Sequence, residues 1–206
     1  MIDFEAARIK MVDNQIRTVD VTSYSVLQAF LAVPRENFVP EKSKSLAYID
    51  TDIEIGGRRY LMEASPLAKL LQMAAITRND AVLEIGTGTG YVAAVLSHVA
   101  GSVVALESDA HLADQARSNL ASVTSGNVTV VEGELEAGCS AEAPFDVIFV
   151  NGAVEEIPAA LLEQLGENGR MIAVVGYGNA AQAKLLLREQ GVISETSRFN
   201  LSVQPL

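Results

Sequence analysis

Val82-Leu83-Glu84-Ile85-Gly86-Thr87-Gly88-Thr89-Gly90-Tyr91 lies near the middle of a chain of 206 residues. With Ala81 it reads as a short apolar strand, broken only by Glu84, that runs straight into three glycines at alternate positions. A loop without β-carbons lets backbone come close to a ligand. Tyr91 to Val99 follows as an apolar helix. Strand, glycine turn and helix in this order form the first half of a βαβ unit.

The pattern repeats downstream. Val103-Val104-Ala105-Leu106 is a strand that ends at Glu107. Asp109 caps a helix carrying Leu112, Ala116 and Leu120. Val128 to Val131, Phe145 to Val150 and Met171 to Val175 are three more strands. Pro158 opens a helix through Leu165, with Gly166 as its stop. Near-continuous apolar strands imply a sheet covered by helices on both faces. Ala183 to Arg188 and Thr196 to Val203 read as an antiparallel pair turned near Gln190-Gly191, with a helix over 180–189 as the competing reading. The fold class is therefore α/β: a Rossmann-like, doubly wound, mostly parallel seven-stranded sheet.

Upstream, Ser65-Pro66 reads as the N-cap and first position of a helix whose buried face is Leu67, Leu70, Leu71 and Ala74. Residues 1–60 carry no clear strand. Ile9, Val12, Ile16 and Val19 form a helical stripe. Thr22 or Ser23 caps a second helix with Val26, Leu27, Phe30 and Leu31, and Pro40-Glu41 starts a short third. The expected organisation is an N-terminal helical extension or lid, 1–60, packed on a cofactor-binding domain, 61–206.

Ligands of doubly wound sheets bind beyond the carboxyl ends of the strands. Gly86, Thr87, Gly88 and Gly90 fall there. Glu107, followed by Ser108, ends the next strand, where an acidic side chain accepts ribose hydroxyls. Gly133-Glu134-Leu135 follows the third strand of the series and can flank an adenine. Asn151 follows the fourth and faces the same crevice. Dinucleotide sites favour G-x-G-x-x-G, with pyrophosphate at the helix N-terminus. Here the spacing is G-x-G-x-G, Tyr91 takes the third glycine's place, and Glu84 adds negative charge. That set suits a cationic nucleoside, S-adenosylmethionine, better than NAD.

Composition narrows the partners. A formal net charge of −11 disfavours nucleic acid and anionic lipid. No run approaches the roughly 20 apolar residues of a membrane span, and the acidic opening Met1 to Glu5 is unlike a signal peptide. One cysteine, Cys139, fits a reducing cytoplasm. His98 and His111 read as helix-surface residues, and no metal cluster is evident. A monomer or homodimer is equally compatible. Methyl transfer to a carboxylate needs alignment and no base, so no catalytic residue is assigned.

The chain resembles the protein-L-isoaspartate O-methyltransferase family nearly end to end. Ala32-Val33-Pro34-Arg35-Glu36-Asn37-Phe38-Val39-Pro40 is similar to its amino-terminal signature, and residues 82–91 to its cofactor loop. Pro144 to Ile148 and Glu156-Ile157-Pro158 also match. The resemblance implies S-adenosylmethionine as donor, isoaspartyl carboxylates of proteins or peptides as acceptor, and a role in protein repair. The family usually carries Gly-Gln-Thr-Ile-Ser-x-Pro where this chain reads Arg58 to Ala64. Tyr60 stands for the threonine and Met62 for the serine. The acceptor-side candidates are therefore Arg58, Arg59, Tyr60 and Met62. Two readings stand: a methyltransferase acting on isoaspartyl or another carboxylate, or a donor-binding homologue that works by interaction or on a different small acceptor.

Overall fold

The computed structural model describes residues 2–124 and 126–206. Helices α1 (Phe4–Met11) and α2 (Tyr24–Ala32) precede a hairpin of β1 (Ile53–Gly56) and β2 (Arg59–Leu61). Helix α3 (Ala64–Ala74) then leads to β3 (Ala81–Ile85), α4 (Tyr91–Ser97), β4 (Ser102–Glu107), α5 (Ala110–Leu120) and β5 (Val128–Glu132). The chain continues through β6 (Phe145–Val154), α6 (Ala159–Glu163), β7 (Leu165–Val175), β8 (Gln182–Glu189) and β9 (Val192–Asn200).

The large sheet has seven strands in the order β5-β4-β3-β6-β7-β8-β9. Strands β3 to β7 pair in parallel, and β8 pairs antiparallel with both neighbours. The order reverses direction at β3, beside β6, which opens the crevice of a doubly wound sheet above the β3 loop. The antiparallel reading of 182–200 stands over the helical one because Leu185 and Leu186 lie in register with Ile172 and Met171 of β7.

Several local expectations are corrected. Helix α3 starts at Ala64, after Glu63, so Ser65 lies in its first turn and does not cap it. The Glu63 amide is held instead by the Asp52 carboxylate at 3.0 Å, which sets the start one turn's edge earlier. At α2, neither Thr22 nor Ser23 caps with its own side chain. The Gln72 carboxamide of α3 accepts from both their amides, at 2.7 and 2.8 Å. Ile9 is exposed, because α1 gives way to a wider turn at Val12–Ile16 that rotates the buried stripe onto Met11, Val12 and Ile16. Helix α6 stops at Glu163, and Leu165 already pairs with Phe145, so Gly166 belongs to β7. Strand β6 runs on to Val154, which places Asn151 inside it. That extension is supported by residues 204–206: Ala153 donates to the Gln204 carbonyl and accepts from the Leu206 amide, each at 2.9 Å.

One apolar cluster runs from Met11 and Phe30 through α3 and α4 to Val147, Ile172 and Val203. The N-terminal helices and one face of the sheet thus share a core. A second cluster, centred on Leu83, Ile148 and Met171, fills the other face.

Candidate active site

The glycine loop leaves β3 with Gly86, Gly88 and Gly90 all at positive φ, 82°, 59° and 94°. Its start is pinned because the amides of Gly86 and Thr87 both donate to the Leu106 carbonyl. Gly86 and Gly88 face the crevice. Gly90 faces away: a β-carbon there would press on Leu120 and the Ala116 backbone of α5. Its part is helix packing.

Two carboxylates hold the loop from below. Glu107, at the end of β4, is fully buried. It accepts from the Gly88 amide at 2.8 Å, the Ser108 amide at 2.8 Å and the Asp109 amide at 3.1 Å. It also accepts from the Arg59 guanidinium, at 2.9 Å, and from the Ser108 hydroxyl, at 3.5 Å. Glu84 is equally buried and accepts from the Thr87 hydroxyl at 2.8 Å and the Asn151 amide at 3.0 Å. Burial pushes its carboxyl up to about 8; those two hydrogen bonds pull it down and the charge of Glu107 pushes it further up. Near neutral pH Glu84 is therefore largely protonated in this structure, and it braces the loop more than it charges the crevice.

The acceptor-side candidates Arg58, Arg59 and Tyr60 come from a hairpin that sequence periodicity did not reveal, and Met62 follows it. Arg58 sits at its tip with φ 59°, at the position where the resembled family carries glycine, and is exposed. Arg59, Tyr60 and Met62 line a small enclosed cavity of ≈ 20 Å³ with Gly86, Thr87, Gly88 and Asn151. That is room for about one water. Outside it lies an open cavity of ≈ 790 Å³, lined among others by Arg58, Arg59, Tyr60, Ser108 and Leu135. Glu134 is exposed and lines neither. Met62 is buried, and its carbonyl is held by the Arg35 guanidinium at 2.7 Å.

Residues 204–206 belong to the site and carried no sequence signal. Gln204 and Pro205 line both cavities. A β-carbon on Gly86 would lie 2.2 Å from the Leu206 Cδ1 and 3.0 Å from the Arg59 Nη1. Tyr91 lies outside the site: it is fully buried, with its ring against Phe30, Phe38 and Arg35. Burial, with Arg78 nearby, holds His98 below its ordinary value, and His98 lies beyond both cavities. Burial raises the Cys139 thiol, which removes thiolate character. Among the described residues no group of His, Cys, Asp and Glu is arranged to hold a metal, and no helix is long and apolar enough to cross a membrane.

A glycine loop at the switch point of a seven-stranded α/β sheet, with a buried carboxylate at the end of the neighbouring strand, defines a nucleoside-dependent methyltransferase fold. The chain belongs to the protein-L-isoaspartate(D-aspartate) O-methyltransferase family, whose model matches residues 6–202. It is similar to the protein-L-isoaspartate O-methyltransferase of Koribacter versatilis, 36% identical over 98% of this chain and 91% of that one. The enzyme of the same name from Methanoculleus marisnigri is 38% identical over 97% of this chain and 90% of that one. A solved protein-L-isoaspartate O-methyltransferase superposes with a TM-score of 0.82 at 28% identity, covering 97% of this chain and 65% of that chain. A putative enzyme of this kind from Plasmodium falciparum, solved in complex with S-adenosyl-L-homocysteine, gives 0.82 at 18% identity over 100% of this chain and 99% of that one, a likeness of fold.

S-adenosylmethionine is the methyl donor that the resemblance to this family implies. The residues present fit it: two buried polar atoms at the crevice, Arg59 Nη1 and Asn151 Oδ1, have no hydrogen-bond partner within the protein. Gly86 and Gly88 bare their backbone beside them.

Proposed function

We propose that this chain methylates the free α-carboxylate of isoaspartyl residues, where the peptide bond runs through the side chain, in proteins or peptides. The observation that carries the reading is the place of Arg59. It lines both the cavity over the glycine loop and the open cavity outside, so a guanidinium stands between donor loop and solvent. A planar guanidinium is matched to a carboxylate. Met62 stands where the resembled family has a hydroxyl, and Arg59, with Arg58 at the hairpin tip, supplies donors in its stead.

When bound, S-adenosylmethionine supplies a sulfonium-borne methyl, which a carboxylate oxygen takes to give a methyl ester and S-adenosylhomocysteine. On the protein's side, Glu107 and Gly88 would hold the ribose end, and Asn151, braced by Glu84 and with its Oδ1 unpartnered, the ammonium end. The acceptor carboxylate is ionised near neutral pH, so the protein supplies no general base. Its work is alignment and exclusion of water. Cys139 as a free thiol suits the cytoplasm.

Purified protein, labelled donor and an isoaspartyl peptide, with the aspartyl isomer beside it, test the reading. Base-labile label is expected in the isoaspartyl peptide alone. Donor binding without turnover of that peptide would favour the second reading, a homologue with another acceptor, which the buried thioether of Met62 supports.

A further inference from the structure

Arg59 and the donor claim the same space. Its Nη2 pairs with Glu107 at 2.9 Å, the carboxylate that would take a ribose. Its Nη1 lies 3.0 Å from where a β-carbon of Gly86 would be, over the loop's bare backbone. Leu206 covers Gly86 beside it. The wall between the ≈ 20 Å³ cavity and the ≈ 790 Å³ cavity is built from Arg59, Tyr60, Gln204 and Pro205, which line both. With this wall in place the ≈ 20 Å³ cavity over the glycine loop admits about one water and no part of an adenosyl group, so the residues that fit the donor reach it only once Arg59 moves, and a sulfonium cation would be repelled by the guanidinium where it stands.

We infer that Arg59 serves both sites in turn: paired with Glu107 it closes the donor site, and displaced from Glu107 it becomes the positioning residue for the acceptor carboxylate. The inference rests on the reading of the crevice as a site for donor and carboxylate acceptor. Its physical basis is the cost of an unpaired buried ion. The Arg59 side chain is 12% exposed and that of Glu107 0%. Separating two such groups is unfavourable unless each gains a new partner. Ribose hydroxyls replace the guanidinium at Glu107. A carboxylate entering from the open cavity replaces Glu107 at Arg59. Donor and acceptor therefore bind in that order, and a closed fraction lowers the apparent affinity for the donor.

Calorimetric titration of S-adenosylhomocysteine into the full chain, alongside KM for an isoaspartyl peptide at saturating S-adenosylmethionine, tests this. In Arg59→Ala, binding is expected to tighten about tenfold while the peptide KM rises by a similar factor. A general structural role would not move the two in opposite directions. Arg59→Met keeps the apolar stem but offers Glu107 no donor, and serves the same comparison should the alanine variant not fold. Arg59→Lys is expected to restore part of the peptide KM. Unchanged or weaker S-adenosylhomocysteine binding in Arg59→Ala, or in Arg59→Met if only that variant folds, overturns the inference alone. No binding by wild type or variant overturns it together with the donor-site reading. Tighter binding with an unchanged peptide KM overturns the transfer to the acceptor.

Discussion

Glu84 is a carboxyl inside a parallel strand, closed off from water, whose two oxygens already have donors in Thr87 and Asn151. Its carboxyl is pushed up to about 8 from an ordinary 4.5. Between those values the folded chain holds a proton that the unfolded chain has released, so stability falls as pH rises from 4.5 to 8 and levels off above. Glu84→Gln keeps shape and hydrogen bonding without the titration. It is expected to flatten that slope and to be more stable than wild type by about 1–3 kcal/mol at pH 8. Denaturant midpoints at pH 5 and pH 8 check it; parallel slopes in both proteins would refute the role. Gly88 poses a different demand. It sits at φ +59° and a β-carbon there would come within 2.6 Å of Ile55 Cδ1. Gly88→Val strains the loop and turns the amide that donates to Glu107. S-adenosylhomocysteine affinity should fall about tenfold or more, and normal affinity in a folded variant would place the donor elsewhere.

At the scale of elements, the strands were the legible part. The runs at 81–85, 102–107 and 145–150 are apolar because both faces of a parallel sheet are covered, and no tertiary detail is needed to read them. The 53–61 hairpin escaped because its strands are short, interrupted by a bulge between Glu54 and Gly56. Its reason for existing is a tertiary one: Ile53, Ile55 and Leu61 pack into the core. The caps of α2 and α3 escaped likewise, since Gln72 and Asp52 reach them across the fold. Arg170 of β7 is the same kind of device. It donates to the carbonyls of Ala74 and Ala75 at the end of α3, and pairs with Asp80 at 2.8 Å just before β3. A cation there satisfies open carbonyls and the helix dipole together. Burial alone would raise the Asp80 carboxyl, but Arg170 and the Thr77 amide outweigh it and hold it below its ordinary 3.8. The pair's stability is thus present above pH 3.8 and lost as pH falls through the lower folded value. Arg170→Ala is expected to cost about 2–4 kcal/mol near neutral pH. The deficit should shrink on acidification below pH 4. A constant deficit across that range would show that the packing of Arg170 matters and its charge does not.

Over the whole molecule, the candidate site was legible in the part that one continuous segment supplies, the loop at 86–90 with Glu84 and Glu107. It was not legible where distant segments meet. Arg59 and residues 204–206 arrive from segments far apart in the chain, and nothing in their local sequence marks the meeting. The same long-range closure governs stability. Arg35, with no exposed surface, donates to the carbonyls of Ala47 at 2.8 Å and Met62 at 2.7 Å and stacks 4.8 Å above the Tyr91 ring. One side chain thus ties the N-terminal region to the acceptor segment and to the helix that follows the glycine loop. Since that region also shares the sheet's main apolar cluster, neither part keeps its core without the other. Heating should therefore give a single transition, with far-ultraviolet circular dichroism and the near-ultraviolet tyrosine signal coinciding. Arg35→Met would lower that one midpoint without splitting it. Two separated transitions in the wild type would instead mean that residues 1–60 fold as a lid of their own, and the donor site would then open by undocking that lid, with no need to displace Arg59.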